Sequence, residues 1–216
     1  MNWMIFISLA ACLSINCSIA ANNETDCYAH YIKSGDKIFL DCAIKLYTEK
    51  VTDEGGEENK LRLAALYYDS GDTLKSIKLY EQVREKYQSA DAEYSLAQIY
   101  YSGNEVVEKD YFKVVQLLEE ASSKGLAQAQ LELSYMYSTY LEDKNYKKAI
   151  SYLYKAANND SKDAEGYVVE PVIKAQLLLG KIYRDGEWGE AKDLDKAKYW
   201  VSKASSNMSN KMYGIK

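Results

Sequence analysis

The chain reads as a succession of amphipathic stretches with one recurring apolar pattern. Leu63-Ala64-x-x-Tyr67, Leu96-Ala97-x-x-Tyr100, Leu133-Ser134-x-x-Tyr137 and Leu179-Gly180-x-x-Tyr183 share a single form: large apolar, small, two variable positions, tyrosine. Successive copies are spaced by 33, 37 and 46 residues, the periods of a stacked supersecondary unit. Ala92, Ala129 and Ala175 each precede the leucine by four positions, which places them on the same helical face. Gly103 and Gly186 follow the tyrosine by three and predict helix ends. A second amphipathic helix follows in each unit. It is Tyr146–Ala157 in the third and Asp193–Ser205 in the fourth. In the second, Asp110–Val114 leads through Leu117, Leu118 and Ala121 to Gly125. Small residues sit where helices approach, and bulky ones fill the space between units.

Before the repeats, Cys27–Tyr47 forms two helical stretches broken at Gly35-Asp36. Cys27 lies eight residues before Gly35 and Cys42 seven after it. With about 1.5 Å of rise per residue both thiols reach nearly the same height, so a bridge between the helices is expected; two free thiols are the alternative. A closed loop of that size stabilises by about 3 kcal/mol in the chain-entropy account. Asp53–Glu58 reads as a solvated linker, and Asn158–Pro171 as a polar insertion ending at the single proline. Met1–Ala20 has no charge, an apolar run from Trp3 to Leu13, and small residues Ser18 and Ala20 ahead of Ala21, the pattern of a secretory signal. Leu9-Ala10-Ala11-Cys12 resembles a lipobox and offers the alternative of a membrane-anchored lipoprotein acylated at Cys12. Cleavage after Ala20 removes Cys12 and Cys17 and leaves the even pair Cys27 and Cys42, which favours soluble export into an oxidising compartment. Ser14, Asn16 and Ser18 interrupt the apolar run, so no transmembrane helix is expected in the mature form. The expected division is 1–20 signal, 21–56 bridged hairpin and acidic linker, 57–207 repeats, 208–216 tail.

Composition narrows the function classes. A formal net charge of −5 over 216 residues argues against nucleic acid as partner. One histidine and four cysteines leave little for a metal or histidine-based catalytic device. Ser34-Gly35-Asp36-Lys37 fits S-x-x-K, but the chain has neither S-D-N nor K-T-G, so the segment reads as a turn. His30 has no nucleophile or carboxylate in a recognisable arrangement. The run Asp53–Glu58 lacks the alternating oxygen ligands of a calcium loop. Trp188 sits on a turn, either as an exposed anchor or tucked beneath the last helix. No cofactor, metal or catalytic residue is expected. The unusual feature is 21 tyrosines against three phenylalanines.

Leu179-Gly180, Tyr183, Gly186, Asp193, Lys196-Ala197, Trp200 and Lys203-Ala204 together resemble the signature of the Sel-one-like repeat (SLR) family. The first unit, with Leu63-Ala64, Tyr67, Gly71, Ser76 and Tyr80, is closer to the related tetratricopeptide repeat. The resemblance covers roughly 57–207, with departures at Tyr140 for the turn glycine, Val114 for alanine and Leu117 for tryptophan. It implies an all-α fold, a right-handed α/α superhelical solenoid of about four to five helical hairpins. The first helix of each pair then lines a concave surface that holds another protein. Helical phase separates Tyr68, Tyr94, Gln98 and Tyr101, then Tyr135, Ser138 and Thr139, then Lys181 and Arg184 from the packing set, giving a groove tyrosine-rich at one end and basic at the other. The alternative is that these tyrosines complete inter-repeat packing. Some SLR relatives with a cysteine pair in every repeat are linked to β-lactam binding, which a single pair does not carry over. What the resemblance implies is a non-catalytic periplasmic interaction module: an immunity protein neutralising a toxic effector, with an adaptor or assembly factor for an envelope or secretion complex as the alternative and a β-lactam-binding or hydrolysing relative as a minor one.

Overall fold

The structure, a computed structural model, describes residues 24–51, 56–141 and 143–214, with side chains from Cys27 onward. The signal segment with its Cys12 alternative, and residues 53–55 of the acidic linker, lie outside the described residues. Those residues form ten α-helices in two compact units, divided after Gln88.

The first unit holds α1 (Glu24–Ser34), α2 (Lys37–Lys50), α3 (Glu57–Asp69) and α4 (Thr73–Tyr87). Asp36 ends the first turn and starts α2, its carboxylate accepting from Ile38 N at 3.0 Å. Cys27 and Cys42 are joined by a disulfide, with Cα atoms 6.0 Å apart. The bridge lies beside a core of Leu40, Ala43, Tyr47, Leu63 and Leu66. His30 stacks on Phe39 across the hairpin at 4.9 Å. Ser34 Oγ donates to His30 O and accepts from Asp36 N, so the S-x-x-K segment closes a turn. Glu57 and Glu58, expected in the linker, instead open α3, where acidic residues suit the helix N-terminus.

The second unit holds α5 (Ala90–Ser102), α6 (Tyr111–Ser123), α7 (Ala127–Tyr135), α8 (Tyr146–Ala157), α9 (Glu170–Asp185) and α10 (Leu194–Tyr213). Each helix packs on the next in chain order, which is the α/α repeat arrangement. Its core runs through Leu131, Leu153, Ala157, Ala175, Leu179, Ile182 and Trp200. Where Tyr140 replaces the turn glycine, α7 ends in one π-helical turn, Met136–Tyr140, closed by Leu141 N donating to Met136 O. A wider turn carries the chain out without a left-handed residue. The insertion 158–169 is held by a Lys162–Val168 bridge and by Tyr167 N donating to Asp163 at 2.8 Å. Pro171 falls in the first turn of α9, where its missing N–H costs nothing. Residues 208–213, expected as a tail, continue α10.

Candidate interaction surface of the repeats

Three features of the repeat build one recurring joint. The residue opening each second helix caps it and also bonds back to the signature tyrosine. Asp110, Asn145 and Asp193 accept from Lys113 N, Lys148 N and Lys196 N, each at 2.9 Å. Their own N–H groups donate to the carbonyls of Tyr100, Tyr137 and Tyr183. The same lysines then cover those rings: Lys113 over Tyr100 at 3.9 Å, Lys148 over Tyr137 at 4.8 Å and Lys196 over Tyr183 at 4.8 Å. In the first unit Lys75 covers Tyr67 at 5.3 Å. The Asp/Asn-x-x-Lys spacing thus joins the two helices of each hairpin in the second unit.

The signature tyrosines also tie one hairpin to the next. Tyr137 and Tyr152 stack at 5.8 Å and donate to the same Glu119 oxygen of α6 at 2.9 and 3.1 Å. Burial together with that carboxylate pushes both phenols up to about 12. One repeat on, Tyr183 and Tyr154 share a short hydrogen bond at the equivalent position, and burial raises Tyr183 as well. Gln130 and Gln176, buried three positions before the signature leucine, donate to Ser122 O and Ala157 O of the preceding second helix. Glu93 holds that position in the earlier repeat and pairs with Lys124. Nothing in a binary apolar pattern marks this position, because it carries polar residues in a buried row.

The residues expected to line a groove lie on the first helices α5, α7 and α9, apart from Tyr68, which is half-buried on α3 of the first unit. Tyr94, Gln98, Tyr101 and Tyr135 are half-buried, while Thr139, Lys181 and Arg184 are exposed. Ser138 is buried at 4% exposure and donates to Tyr135 O, so it offers no surface; the π turn carries it inward. Tyr101 packs against Tyr140 at 5.3 Å and Tyr111 at 5.9 Å. Hydrogen bonding with Tyr140, together with burial, pushes its phenol up to about 12. Sequence phase missed a group between these tyrosines. Glu132 on α7 acts electrostatically on Tyr94, Tyr101 and Tyr135. Gln128 donates to its Oε1 at 3.0 Å. Burial raises the Glu132 carboxyl, opposed by Gln128 and by Lys174 of α9. Glu132 stands one residue before Leu133 in the repeat pattern, a variable position that only the fold places among tyrosines. The expected basic end carries its own counter-charges: Lys181 donates to Glu187 at 3.2 Å, and Arg184 grips Asp185 through two bonds of 2.9 Å.

Trp188 takes φ +55 and stacks on Tyr146 of α8 at 6.2 Å, half-buried against the second core. Among the described residues no group of three or more His, Cys, Asp or Glu side chains could hold a metal ion, and no helix is long and apolar enough to cross a membrane.

The hairpins, their capped second helices and the tyrosine joints define an α/α-repeat protein of solenoid type. The Sel1 repeat model matches residues 90–126, 127–161 and 173–207, and through these three repeats the chain belongs to the Sel1-repeat (SLR) proteins. Their boundaries follow the hairpins α5–α6, α7–α8 and α9–α10. Among curated proteins none matches. Among solved structures, the chain is similar to a Sel1 repeat protein from Oxalobacter formigenes at 22% identity and a TM-score of 0.61, over 77% of this chain and 62% of that one. It is similar to c5321, a protective antigen present in uropathogenic Escherichia coli strains with an SLR fold, at 23% identity and TM-score 0.55, over 90% of this chain and 45% of that one. MamA aligns at 22% identity and TM-score 0.51, over 84% of this chain and 95% of that one. The aligned parts thus span less than two thirds of the first two relatives.

Proposed function

We propose that the chain is a non-catalytic protein-binding module whose partner lies along α5, α7 and α9, and that it serves in the periplasm as an immunity protein capping a toxic effector. The observation that carries the binding reading is the half-buried row of Tyr94, Tyr101 and Tyr135 around Glu132, on the first helices α5 and α7 of two adjacent Sel1 repeats. Tyrosine supplies large contact area at low entropy cost and a hydroxyl for hydrogen bonding. Stacked repeats of this kind generally present such surfaces to other proteins. Export is supported by the signal-like pattern of residues 1–20 and by the Cys27–Cys42 bridge, since disulfides persist in oxidising compartments.

The test is affinity capture of the exported chain, identification of the bound protein by mass spectrometry, and challenge of a strain lacking the chain with that protein. Death of the deletion strain and rescue by the chain support immunity. Survival of the deletion strain contradicts it, and capture of an envelope assembly component instead assigns the adaptor role.

A further inference from the structure

The seam between successive hairpins is filled twice within the second unit and open once. Leu118 on α6 and Leu153 on α8 occupy equivalent positions and are 1% and 0% exposed. The third equivalent, Val201 on α10, is 43% exposed. Leu131 on α7 is 1% exposed, whereas its equivalent on α9, Leu177, is 39% exposed. In the α7–α8 hairpin the residues that fill the seat are Ala175, Leu179 and Ile182 of α9. Among the described residues no helix fills the corresponding seat on α9–α10. What remains there is a groove of about 640 Å³ floored by Leu177, Gly180, Leu194, Ala197 and Val201. Gly180 lets the two helices close, since a Cβ would meet Val201 Cγ2 at 2.7 Å.

Its rim differs from that of the filled seat in charge. Tyr135, Ser138 and Ile150 of the α7–α8 hairpin correspond to Lys181, Arg184 and Lys198 of α9–α10. All three cations line the groove, and no acidic residue does. The partners of Lys181 and Arg184, Glu187 and Asp185, stand outside the lining in exposed pairs, which are worth little and exchange readily.

We infer that the α9–α10 groove is a second docking surface, meeting the first-helix row only at Lys181 and Arg184, and that its occupant is an acidic amphipathic helix of a partner protein seated as α9 sits on α7–α8. Apolar side chains at i, i+4 and i+7 enter the groove, and flanking carboxylates meet Lys181, Arg184 and Lys198.

The experiment titrates the full exported chain with a fluorescent helical peptide that keeps the spacing of Ala175, Leu179 and Ile182 and carries glutamates at its outward positions. A second peptide has lysines there instead. The acidic peptide is expected to bind, more weakly as salt is raised, and the lysine peptide roughly tenfold more weakly or worse. Val201→Glu should weaken the acidic peptide by roughly tenfold or more, and Lys198→Glu by roughly threefold or more. Lys198 is exposed, so its variant decides the matter if Val201→Glu fails to fold. Equal binding of the two peptides, no binding of either, or unchanged binding by the Lys198→Glu variant overturns the proposal. So does self-association of the wild-type chain that Lys198→Glu abolishes, because the occupant is then a second copy.

Discussion

At the residue scale, the excess of tyrosine over phenylalanine has a chemical cause. The ring fills the seam while the hydroxyl reaches a polar group of the next hairpin, as Tyr137 and Tyr152 do on Glu119. Phenylalanine would fill the space and leave the carboxylate short of a donor. Tyr137→Phe should therefore cost about 1 kcal/mol, read from urea denaturation. Tyr101 belongs to the same economy through Tyr111 and Tyr140. Tyr101→Ala should cost about 2 kcal/mol, while Thr139→Ala, at an exposed position, should stay within about 0.5 kcal/mol. Glu132 gives a pH signature. Its folded carboxyl is raised by burial above the ordinary glutamate value, so the folded state holds its proton more tightly than the unfolded chain. Stability from this group is full below the unfolded value and lost as pH rises through the folded one. Glu132→Gln should accordingly be more stable than wild type at neutral pH, and the difference should shrink as pH falls towards 4.5; chemical denaturation across that range reads it.

At the scale of elements, the helices most legible in the sequence are those with a complete repeat signature. The pattern predicts Tyr146–Ala157, and α8 has those bounds. The fourth unit's second helix starts where Asp193 marks it, but runs on to Tyr213. Its last turns carry mostly Ser, Asn and Lys with only Met208, Met212 and Tyr213 apolar, too few such residues to announce a helix by periodicity. Tyr140 signals a departure from the repeat, but not the π turn that absorbs it, because that choice depends on what Tyr101 and Tyr111 offer the ring. The buried polar position held by Glu93, Gln130 and Gln176 is likewise invisible to a hydrophobic template. The Cys27–Cys42 bridge is the reverse case, since counting residues to the Gly35 turn places both thiols level. Replacing both cysteines with serine should lower the stability of the first unit by about 3 kcal/mol. Denaturation with and without reductant checks this: reductant should destabilise wild type and leave the double variant unchanged.

At the scale of the whole molecule, three Sel1 repeats carry the proposed interaction surface, and the tyrosine joints tie their hairpins together. Helical phase places the candidate residues on the first helices, but does not separate those spent on packing from those left for a partner. Tyr101 leans towards packing, Ser138 is buried, and Gln98 and Thr139 retain exposure without a ring contact in the seams. Lys181 and Arg184 fall on the α9–α10 groove, away from a single continuous basic end. The central claim, that the first-helix row of the second unit holds a protein partner, is tested most directly by calorimetric titration of the captured partner into wild-type chain and into Gln98→Arg and Thr139→Arg variants. The account predicts that at least one variant binds roughly tenfold or more weakly, a loss of about 1.4 kcal/mol, with melting temperatures within a few degrees of wild type. Wild-type affinity in both variants would contradict it and place the partner elsewhere on the chain.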